Sequence, residues 1–257
     1  MDFSNKYIVA FTIALCFVCS MAVSSLAVSL KPRIEENKLL DKWQNIVMVA
    51  GLWEAQPGGP SRPTAEEVQE LRGSIQALVI DRQTGAVAEG VDVESFNVED
   101  LKADPERSIA IPGEYAKTQV KRLADQYLVY RVDVPGKECV VLPVEGYGLW
   151  STMRGFMALK QDLSEVVGLT FFEHGETPGL GGEVDNPSWK ALWPGTEPYD
   201  AEGNVKLSVV KAGMVLDPSY QIDGLSGATI TSKGVDLMLE LWLGDSVYGP
   251  YLKTLQG

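Results

Sequence analysis

Residues 139–160 have the sequence CVVLPVEGYGLWSTMRGFMALK, in which two apolar runs lie on either side of a segment with glycine and aromatic residues. The runs Cys139–Leu142 and Met157–Lys160 have the length and composition of strands, and we predict a β-strand for each. EGYGLWS, residues 145–151, has two glycines that flank an aromatic residue, and we predict that it follows the first strand as a loop. The centre of the chain is therefore predicted to belong to a β-sheet.

Further apolar runs extend this sheet in both directions along the chain. They lie at residues 77–80, 127–130, 166–172 and 205–210, and with the central pair they make about six strands. Near the C-terminus the apolar residues that share one helical face are Val235, Met238, Leu239 and Trp242. Because strands in series have helices at both ends, the sequence predicts an α+β fold with mainly antiparallel strands and flanking helices.

The N-terminus contains an apolar segment, Tyr7–Leu30, without a charged residue. As an α-helix it would be about 36 Å long, which is enough to cross a ~30 Å hydrocarbon core. A cleaved signal peptide is the alternative, because Ala22–Ala27 holds small residues of the cleavage type. The segment is long for a signal peptide, so we predict a retained single-pass transmembrane anchor over residues 1–33.

The residues after the anchor divide into a connection and a domain. Glu36–Trp53 has apolar residues at helical spacing, and glycines and prolines follow it. We therefore predict a connecting amphipathic helix and linker over residues 34–63. Thr64 and Glu67 have the spacing of a capping box, which predicts a short helix at the start of a soluble domain over residues 64–257.

Composition excludes several classes of function. Lys and Arg number 22 against 35 Asp and Glu, a net charge of -13, so nucleic acid is not an expected partner. The histidine and the cysteines (His174, Cys16, Cys19 and Cys139) are too few for the usual zinc sites or for a disulfide-built fold. Cys16 and Cys19 lie in the apolar segment, where we interpret them as packing residues.

Charge leaves the orientation of the anchor open. Lys6 precedes the apolar segment, and Lys31, Arg33 and Lys38 follow it. This distribution mildly favours a cytoplasmic domain, but long domains cross membranes largely regardless of charge.

Two later segments carry small and polar residues. HGETPGLGGE, residues 174–183, is too rich in glycine for a helix or strand, and from the residues alone a plain surface loop is as good an interpretation as a binding loop. DGLSGATITSK, residues 223–233, precedes the predicted C-terminal helix, where free N–H groups and the helix dipole favour a phosphate. An ordinary helix cap by Ser226 or Thr229 is the alternative.

DGLSGAT, residues 223–229, resembles the flavinylation motif D-x-x-[ST]-G-A-[TS]. Together with EGYGLWSTM at 145–153, ETPGLGGEV at 176–184 and the anchor, it resembles the FMN-binding family that contains the C subunit of sodium-translocating NADH:quinone reductases. The G subunit of the Rnf electron-transport complex belongs to a related family that shares the ETPGLG and SGAT elements. The likeness is densest from residue 145 to residue 234.

The resemblance implies an FMN whose phosphate is esterified to the hydroxyl of Thr229 by a flavin transferase. Asp223 could hold a turn or a magnesium ion that the transferase brings, and Lys233 could offset phosphate charge. Since the flavin carries the redox chemistry, no catalytic residue or metal ligand is expected of the protein. The other candidate cofactor-binding residues are Ser226, Gly227, Ala228, Glu145, Tyr147, Gly148, Leu149, Trp150, Glu176, Thr177, Leu180 and Gly181.

The resemblance also implies a function. The chain is expected to relay electrons within a sodium-pumping NADH:ubiquinone oxidoreductase of the bacterial inner membrane, with its domain on the periplasmic side and other subunits as partners. It has no dinucleotide fingerprint, so no NADH site of its own is expected. Two alternatives stay open: a G subunit of the Rnf type with the same covalent FMN, and a membrane-anchored interaction module without a redox role, in which the SGAT segment only caps a helix.

Overall fold

The structure is a computed structural model that describes residues 4–56 and 58–256. The chain divides into two compact units, one ending at Lys42 and the other beginning at Trp43. A single helix, α1 (Asn5–Val49), runs through this division, and Pro32 lies within it. The connecting helix is therefore continuous with the anchor helix, and the compact domain begins inside the segment 34–63 that the sequence assigns to the connection.

The first part of α1 has the character of a membrane span. Its most apolar window has a mean hydropathy of 2.2, and none of that window is buried. The hydroxyls of Thr12 and Ser29 donate to the carbonyls of Ile8 and Leu26, at 2.9 and 3.0 Å. These polar groups are thus satisfied within the helix, as an apolar solvent requires. The segment accordingly has the length, the exposure and the internal hydrogen bonds expected of the predicted anchor.

The domain is built on one five-stranded sheet, and two smaller strand pairs accompany it. In the described part of the chain the strands are β1 (Ile75–Asp81), β2 (Ser108–Ala110), β3 (Arg122–Ala124), β4 (Gln126–Val132), β5 (Cys139–Tyr147), β6 (Thr152–Lys160), β7 (Val166–Glu173), β8 (Ser208–Val210) and β9 (Gln221–Asp223). The sheet has the order β1-β4-β5-β6-β7, and all its neighbours are antiparallel. Strands β2 and β3 pair antiparallel, whereas β8 and β9 pair parallel. The prediction of mainly antiparallel strands is confirmed.

Helices stand before, between and after these strands. After α1, the α-helices of the described residues are α2 (Ala65–Arg72), α3 (Val98–Ala103), α4 (Pro187–Lys190), α5 (Thr229–Leu243) and α6 (Gly249–Leu255). Three short 3-10 helices cover Pro105–Arg107, Gly113–Thr118 and Gly181–Asp185. The last of them shows that the prediction of no helix over residues 174–183 is wrong at its C-terminal end. The predicted capping box opens α2, where the Thr64 N–H donates to Glu67 at 2.7 Å and the Glu67 N–H donates to the Thr64 hydroxyl at 3.3 Å. The α+β prediction is therefore confirmed.

The central hairpin is longer than predicted, and the prediction of a loop from residue 145 is wrong for its first three residues. Strand β5 continues to Tyr147 and pairs with β6 up to Tyr147–Thr152, so only the turn Gly148–Ser151 lies outside the strands. A Cβ on Gly146 would lie 2.8 Å from the Cβ of Met238. This glycine therefore marks a close approach to α5 rather than a turn.

The two faces of the sheet are covered by different helices. Trp43, in the last part of α1, contacts Tyr130 edge to face at a centroid distance of 5.6 Å. On the other face, Trp242 of α5 contacts Tyr127 at 5.3 Å. Tyr127 and Tyr130 lie an odd number of residues apart on β4, so their side chains point to opposite faces. The sheet is therefore the middle of three layers.

Helix α5 packs on β5 through the predicted apolar face. Val235, Met238, Leu239 and Trp242 are all buried, and the Trp242 Nε1 donates to the Glu145 carbonyl at 2.6 Å. At Gly234 the backbones of helix and strand meet, because a Cβ there would clash with the Tyr147 carbonyl oxygen. This contact places the start of α5 beside the β5–β6 turn.

Replacing Gly234 by alanine tests that contact. Because the added methyl would meet backbone rather than a movable side chain, we expect Gly234→Ala to destabilise the domain by about 1–3 kcal/mol. The measurement is denaturant unfolding of the full-length chain in detergent, followed by tryptophan fluorescence. Gly113→Ala is the matched control, since a Cβ there meets nothing within 4 Å. Equal stability of the two variants would contradict the close helix–strand contact.

Candidate functional site

The site is centred on the N-terminus of α5. Thr229 is the first residue of this helix, and its side chain is exposed. Ala228 occupies the N-cap position, and no side chain of the described residues caps the helix. The first intrahelical hydrogen bond runs from the Ser232 N–H to the Ala228 carbonyl at 3.0 Å. The alternative of an ordinary cap by Ser226 or Thr229 is therefore wrong, and the N–H groups of the first turn stay free for an anion.

The turn before α5 is held from inside the domain. The Ser232 hydroxyl accepts from the Leu225 N–H at 2.9 Å and donates to the Ala228 carbonyl at 3.1 Å. Gly227 has a φ of +76°, a conformation that a side chain would strain. Ser226 and Gly227 are exposed, whereas the side chain of Ala228 is buried. The turn thus presents backbone and one hydroxyl beside Thr229.

Asp223 and Lys233 lie at the two ends of this segment. One carboxylate oxygen of Asp223 accepts from the Gly213 N–H at 2.7 Å. The backbone carbonyl of Asp223 accepts from the Trp189 Nε1 at 2.9 Å. Asp223 therefore holds a neighbouring turn, which is one of the two roles expected of it. Lys233 is exposed, one helical turn after Thr229.

The loop of residues 174–183 packs against the turn that precedes α5. A Cβ on Gly227 would lie 3.2 Å from Leu180 Cδ2, so the two segments are in contact. The carbonyl of Thr177 accepts from the N–H groups of Leu180 and Gly182, at 3.1 and 2.9 Å. Leu180 is 46% exposed, and Thr177 is also exposed. Thr177 and Leu180, both predicted from this loop, are therefore on the surface, and Leu180 lies next to the turn that precedes α5.

The β5–β6 turn supplies further exposed apolar side chains. Leu149 is 41% exposed and Trp150 is 65% exposed. Ile230, the second residue of α5, is 57% exposed. Side chains of this size gain free energy when they are covered, at roughly 25 cal/mol per Å². The surface around Thr229 is therefore apolar and open, which suits a flat ring.

Buried Glu176 joins these three segments, and only 5% of the residue is exposed. Its carboxylate accepts from the N–H groups of Leu149 at 3.1 Å, Trp150 at 2.9 Å and Ser151 at 3.2 Å. It also accepts from the Thr231 hydroxyl at 2.7 Å. The residue predicted to bind the cofactor thus holds the protein segments that surround Thr229.

Two of the predicted glycines make room for this carboxylate. A Cβ on Gly148 would lie 2.6 Å from Glu176 Oε1, and a Cβ on Gly181 would lie 2.6 Å from Glu176 Oε2 and from the Thr231 hydroxyl. Contacts this short essentially never occur at real Cβ atoms. Glycine is therefore required at both positions by the approach of the loop to the turn and the helix.

Hydrogen bonds keep Glu176 ionised. Burial by itself raises the pKa of Glu176, but hydrogen bonds from Trp150, Thr231, Leu149 and Ser151 outweigh it and leave the pKa below its ordinary value. Within the part of the chain that the structure describes, no Lys, Arg or His forms an ion pair with this carboxylate. Its charge is thus balanced by N–H and O–H dipoles alone.

Two other predicted residues have partners within the hairpin or close to it. Glu145 forms ion pairs with Lys102 and with Arg154, the latter at 3.4 Å. The Tyr147 hydroxyl donates to the Trp150 carbonyl at 3.0 Å. Both residues support the turn that carries Leu149 and Trp150.

The sequence analysis missed Ile230 and Thr231 as residues of the site. Thr231 lies on the helical face of Val235, Met238 and Trp242, whereas Ile230 lies off that face. An apolar residue outside the buried face, directly after the candidate threonine, is the signal that could have identified Ile230. The pairing of Thr231 with Glu176 joins residues 55 positions apart, and no local pattern indicates it.

Comparison with known proteins places this site in a family. The FMN-binding domain family matches residues 148–244, a range that includes the β5–β6 turn, the Glu176 loop and α5. The chain is 44% identical over 251 residues to the C subunit of the Na(+)-translocating NADH-quinone reductase of Pseudomonas aeruginosa, over 95% of this chain and 93% of that protein. It is 39% identical to the C subunit of the same reductase from Yersinia pestis, over 95% of this chain and 90% of that protein.

The chain belongs to the family of the C subunit of Na(+)-translocating NADH-quinone reductase. The crystal structure of Shewanella oneidensis NqrC superimposes on it with a TM-score of 0.74 and 30% identity, over 86% of this chain and 99% of that one. Membership of this family confirms the resemblance on which the sequence analysis relied. It does not support the Rnf-type alternative or the alternative of a module without a flavin.

In this member of the NqrC family, acid is expected to weaken the Glu176 contacts. Because the folded pKa of Glu176 is below the ordinary value of about 4.3, its stabilisation is fully present above about pH 5 and is lost as the pH falls through the folded pKa. We therefore expect Glu176→Gln to be less stable than wild type by about 1–3 kcal/mol at pH 7.

The measurement is denaturant unfolding of both chains between pH 7 and pH 3. The stability difference should be constant at the upper end of this range and should shrink at the lower end. A difference that stays constant down to pH 3 would contradict an ionised Glu176. Glu89→Gln is a control of the same chemistry, because Glu89 is exposed in a turn.

Proposed function

We propose that the chain is the electron-relay subunit of a sodium-translocating NADH:quinone reductase and that it carries FMN esterified through its phosphate to Thr229. The observation that carries this proposal is the exposed hydroxyl of Thr229 on the first turn of an uncapped fifteen-residue helix. The proposal is further supported by the FMN-binding domain match over residues 148–244 and by membership of the NqrC family.

The residues present fit the phosphate of FMN. The N–H groups of Thr229, Ile230 and Thr231 precede the first intrahelical hydrogen bond, so they can donate to phosphate oxygens. The positive end of the helix dipole favours the same charge. Gly227 keeps the approach to Thr229 free of a side chain, and Lys233 adds a positive charge one turn away.

The residues present also fit the flavin ring. The large exposed side chains are those of Leu149, Trp150, Leu180 and Ile230, although other residues of the same segments are buried. Covering such side chains with an aromatic ring is favourable. Exposed Ser226 offers a hydroxyl for hydrogen bonding at the edge of the same surface. The proposed flavin-binding site thus has apolar walls and a polar margin.

When bound, FMN supplies the electron-transfer chemistry. The chain has to hold and orient the group, to keep it accessible to its redox partners and to prevent its loss. A covalent bond at the start of a helix that is fixed to the sheet meets these needs. The high exposure of the surrounding side chains leaves the group within reach of other subunits.

The proposed setting is the bacterial inner membrane. Helix α1 would anchor the chain by a single span, and the other subunits of the complex would be its partners. We place the domain on the periplasmic side, as the family resemblance implies, and assign the attachment of FMN to a flavin transferase. The acidic character of the chain, with a net charge of -13, does not draw it to an anionic cytoplasmic leaflet.

Isosteric replacement of Thr229 tests the attachment. Thr229→Val removes the hydroxyl and keeps the shape, so we expect it to lose all covalent flavin. Thr229→Ser keeps a hydroxyl at the same place and should retain the flavin. The chains are produced together with a flavin transferase and are examined by ultraviolet fluorescence after denaturing electrophoresis and by intact mass. Covalent flavin on Thr229→Val would show that the attachment is elsewhere.

Chemical labelling of a single cysteine tests the orientation. Glu202 lies in an exposed turn, and Glu202→Cys can be made in a chain in which Cys16 and Cys19 are replaced by alanine. Cys139 can remain, because burial raises the pKa of its thiol to about 12 and keeps it unreactive. A membrane-impermeant maleimide should label Glu202→Cys in intact spheroplasts. Labelling only after lysis would place the domain in the cytoplasm.

A further inference from the structure

The carboxylate of Glu176 is the point at which the three segments of the site meet. It lies 27 positions from Leu149 and 55 positions from Thr231 along the chain, and it accepts hydrogen bonds from both. These hydrogen bonds link the carboxylate to the β5–β6 turn and to the first turn of α5. In the described residues, no direct hydrogen bond joins that turn to the first turn of α5. Glu176 therefore joins elements that would otherwise meet only through packing.

The turn depends on this carboxylate for its own polar groups. Across the turn, a hydrogen bond runs from the Gly148 N–H to the Ser151 carbonyl at 3.0 Å. The N–H groups of Leu149, Trp150 and Ser151 all donate to Glu176 instead of to backbone carbonyls. Without the carboxylate these three donors would lose their partner, and the turn would be free to take other conformations.

On the helix side the link is the buried hydroxyl of Thr231, two residues after Thr229. Thr231 is 1% exposed and donates to Glu176 at 2.7 Å. Gly148 and Gly181 allow the carboxylate to approach both partners at once. A residue needed only for filling the core would not require an ionised group with four hydrogen-bond donors and two glycines around it.

We propose that Glu176 is a positioning residue, which holds the turn carrying Leu149 and Trp150 against the first turn of α5 and so fixes the apolar wall of the site relative to Thr229 before the flavin is attached. The part of this proposal that concerns the flavin rests on the function proposed above. The fixed arrangement of turn and helix is a property of the chain without flavin, so it can be tested separately.

The first test is hydrogen exchange on the flavin-free full-length chain in detergent, at the amides of residues 149–151. We expect Glu176→Gln and Thr231→Val to accelerate exchange at these amides at least tenfold, with exchange in β5 and β6 unchanged. Thr231→Ser retains the hydroxyl and should restore slow exchange. Glu89→Gln should match wild type. Unchanged exchange at residues 149–151 in Thr231→Val and Glu176→Gln would overturn the proposal.

The second test uses the same chains after attachment of the flavin. We expect the visible circular dichroism of the attached flavin to weaken and its fluorescence anisotropy to fall in Thr231→Val, and both to recover in Thr231→Ser. A role in stability alone would leave these signals unchanged in the folded variants, and that result would also overturn the proposal. If Glu176→Gln does not fold, Thr231→Val decides both tests.

The two hypotheses fail in different ways. A wild-type chain that takes up no flavin would contradict the proposed function, while hydrogen exchange would still decide whether Glu176 holds the turn. A wild-type chain with covalent flavin whose signals do not respond to Thr231→Val would contradict the positioning role alone.

Discussion

The close contact between helix α5 and strand β5 is the constraint on which the site depends. Gly146 and Gly234 let the two backbones approach, and the Trp242 indole donates to the Glu145 carbonyl at 2.6 Å. The helix start and the hairpin turn are therefore neighbours as a result of core packing, before any ligand is considered. Glu176 adds a polar link between the same two elements. An exposed threonine at such a position can be modified without disturbing the core.

The fold and the candidate attachment residue could be predicted from the sequence because their signals are local. Apolar periodicity indicated the five strands of the main sheet, β8 and the face of α5, but not the three-residue strands β2, β3 and β9. The capping box at Thr64 indicated the start of α2. The prediction of a loop was wrong for its first three residues, because Gly146 indicates a turn in sequence but serves a helix contact in space. The hydrogen bond between Glu176 and Thr231 could not be predicted, since it depends on packing between distant segments.

The glycines of the three motifs have roles in the packing of the protein itself. Gly148 and Gly181 surround a buried carboxylate, and Gly227 shapes the turn before Thr229. Membership of the NqrC family agrees with a division of labour in which α1 supplies the anchor and the sheet supplies a rigid base. Under the proposed function, the exposed apolar side chains around Thr229 would cover the flavin ring. This arrangement needs no general base, which accords with a chain that contains one histidine.

The most direct test of the account is peptide mass mapping of this chain after purification of the assembled native complex. The account predicts that the peptide containing Thr229 carries the mass of one esterified FMN and that fragmentation places the increment on that residue. An unmodified Thr229 peptide recovered in full from the active complex would contradict it.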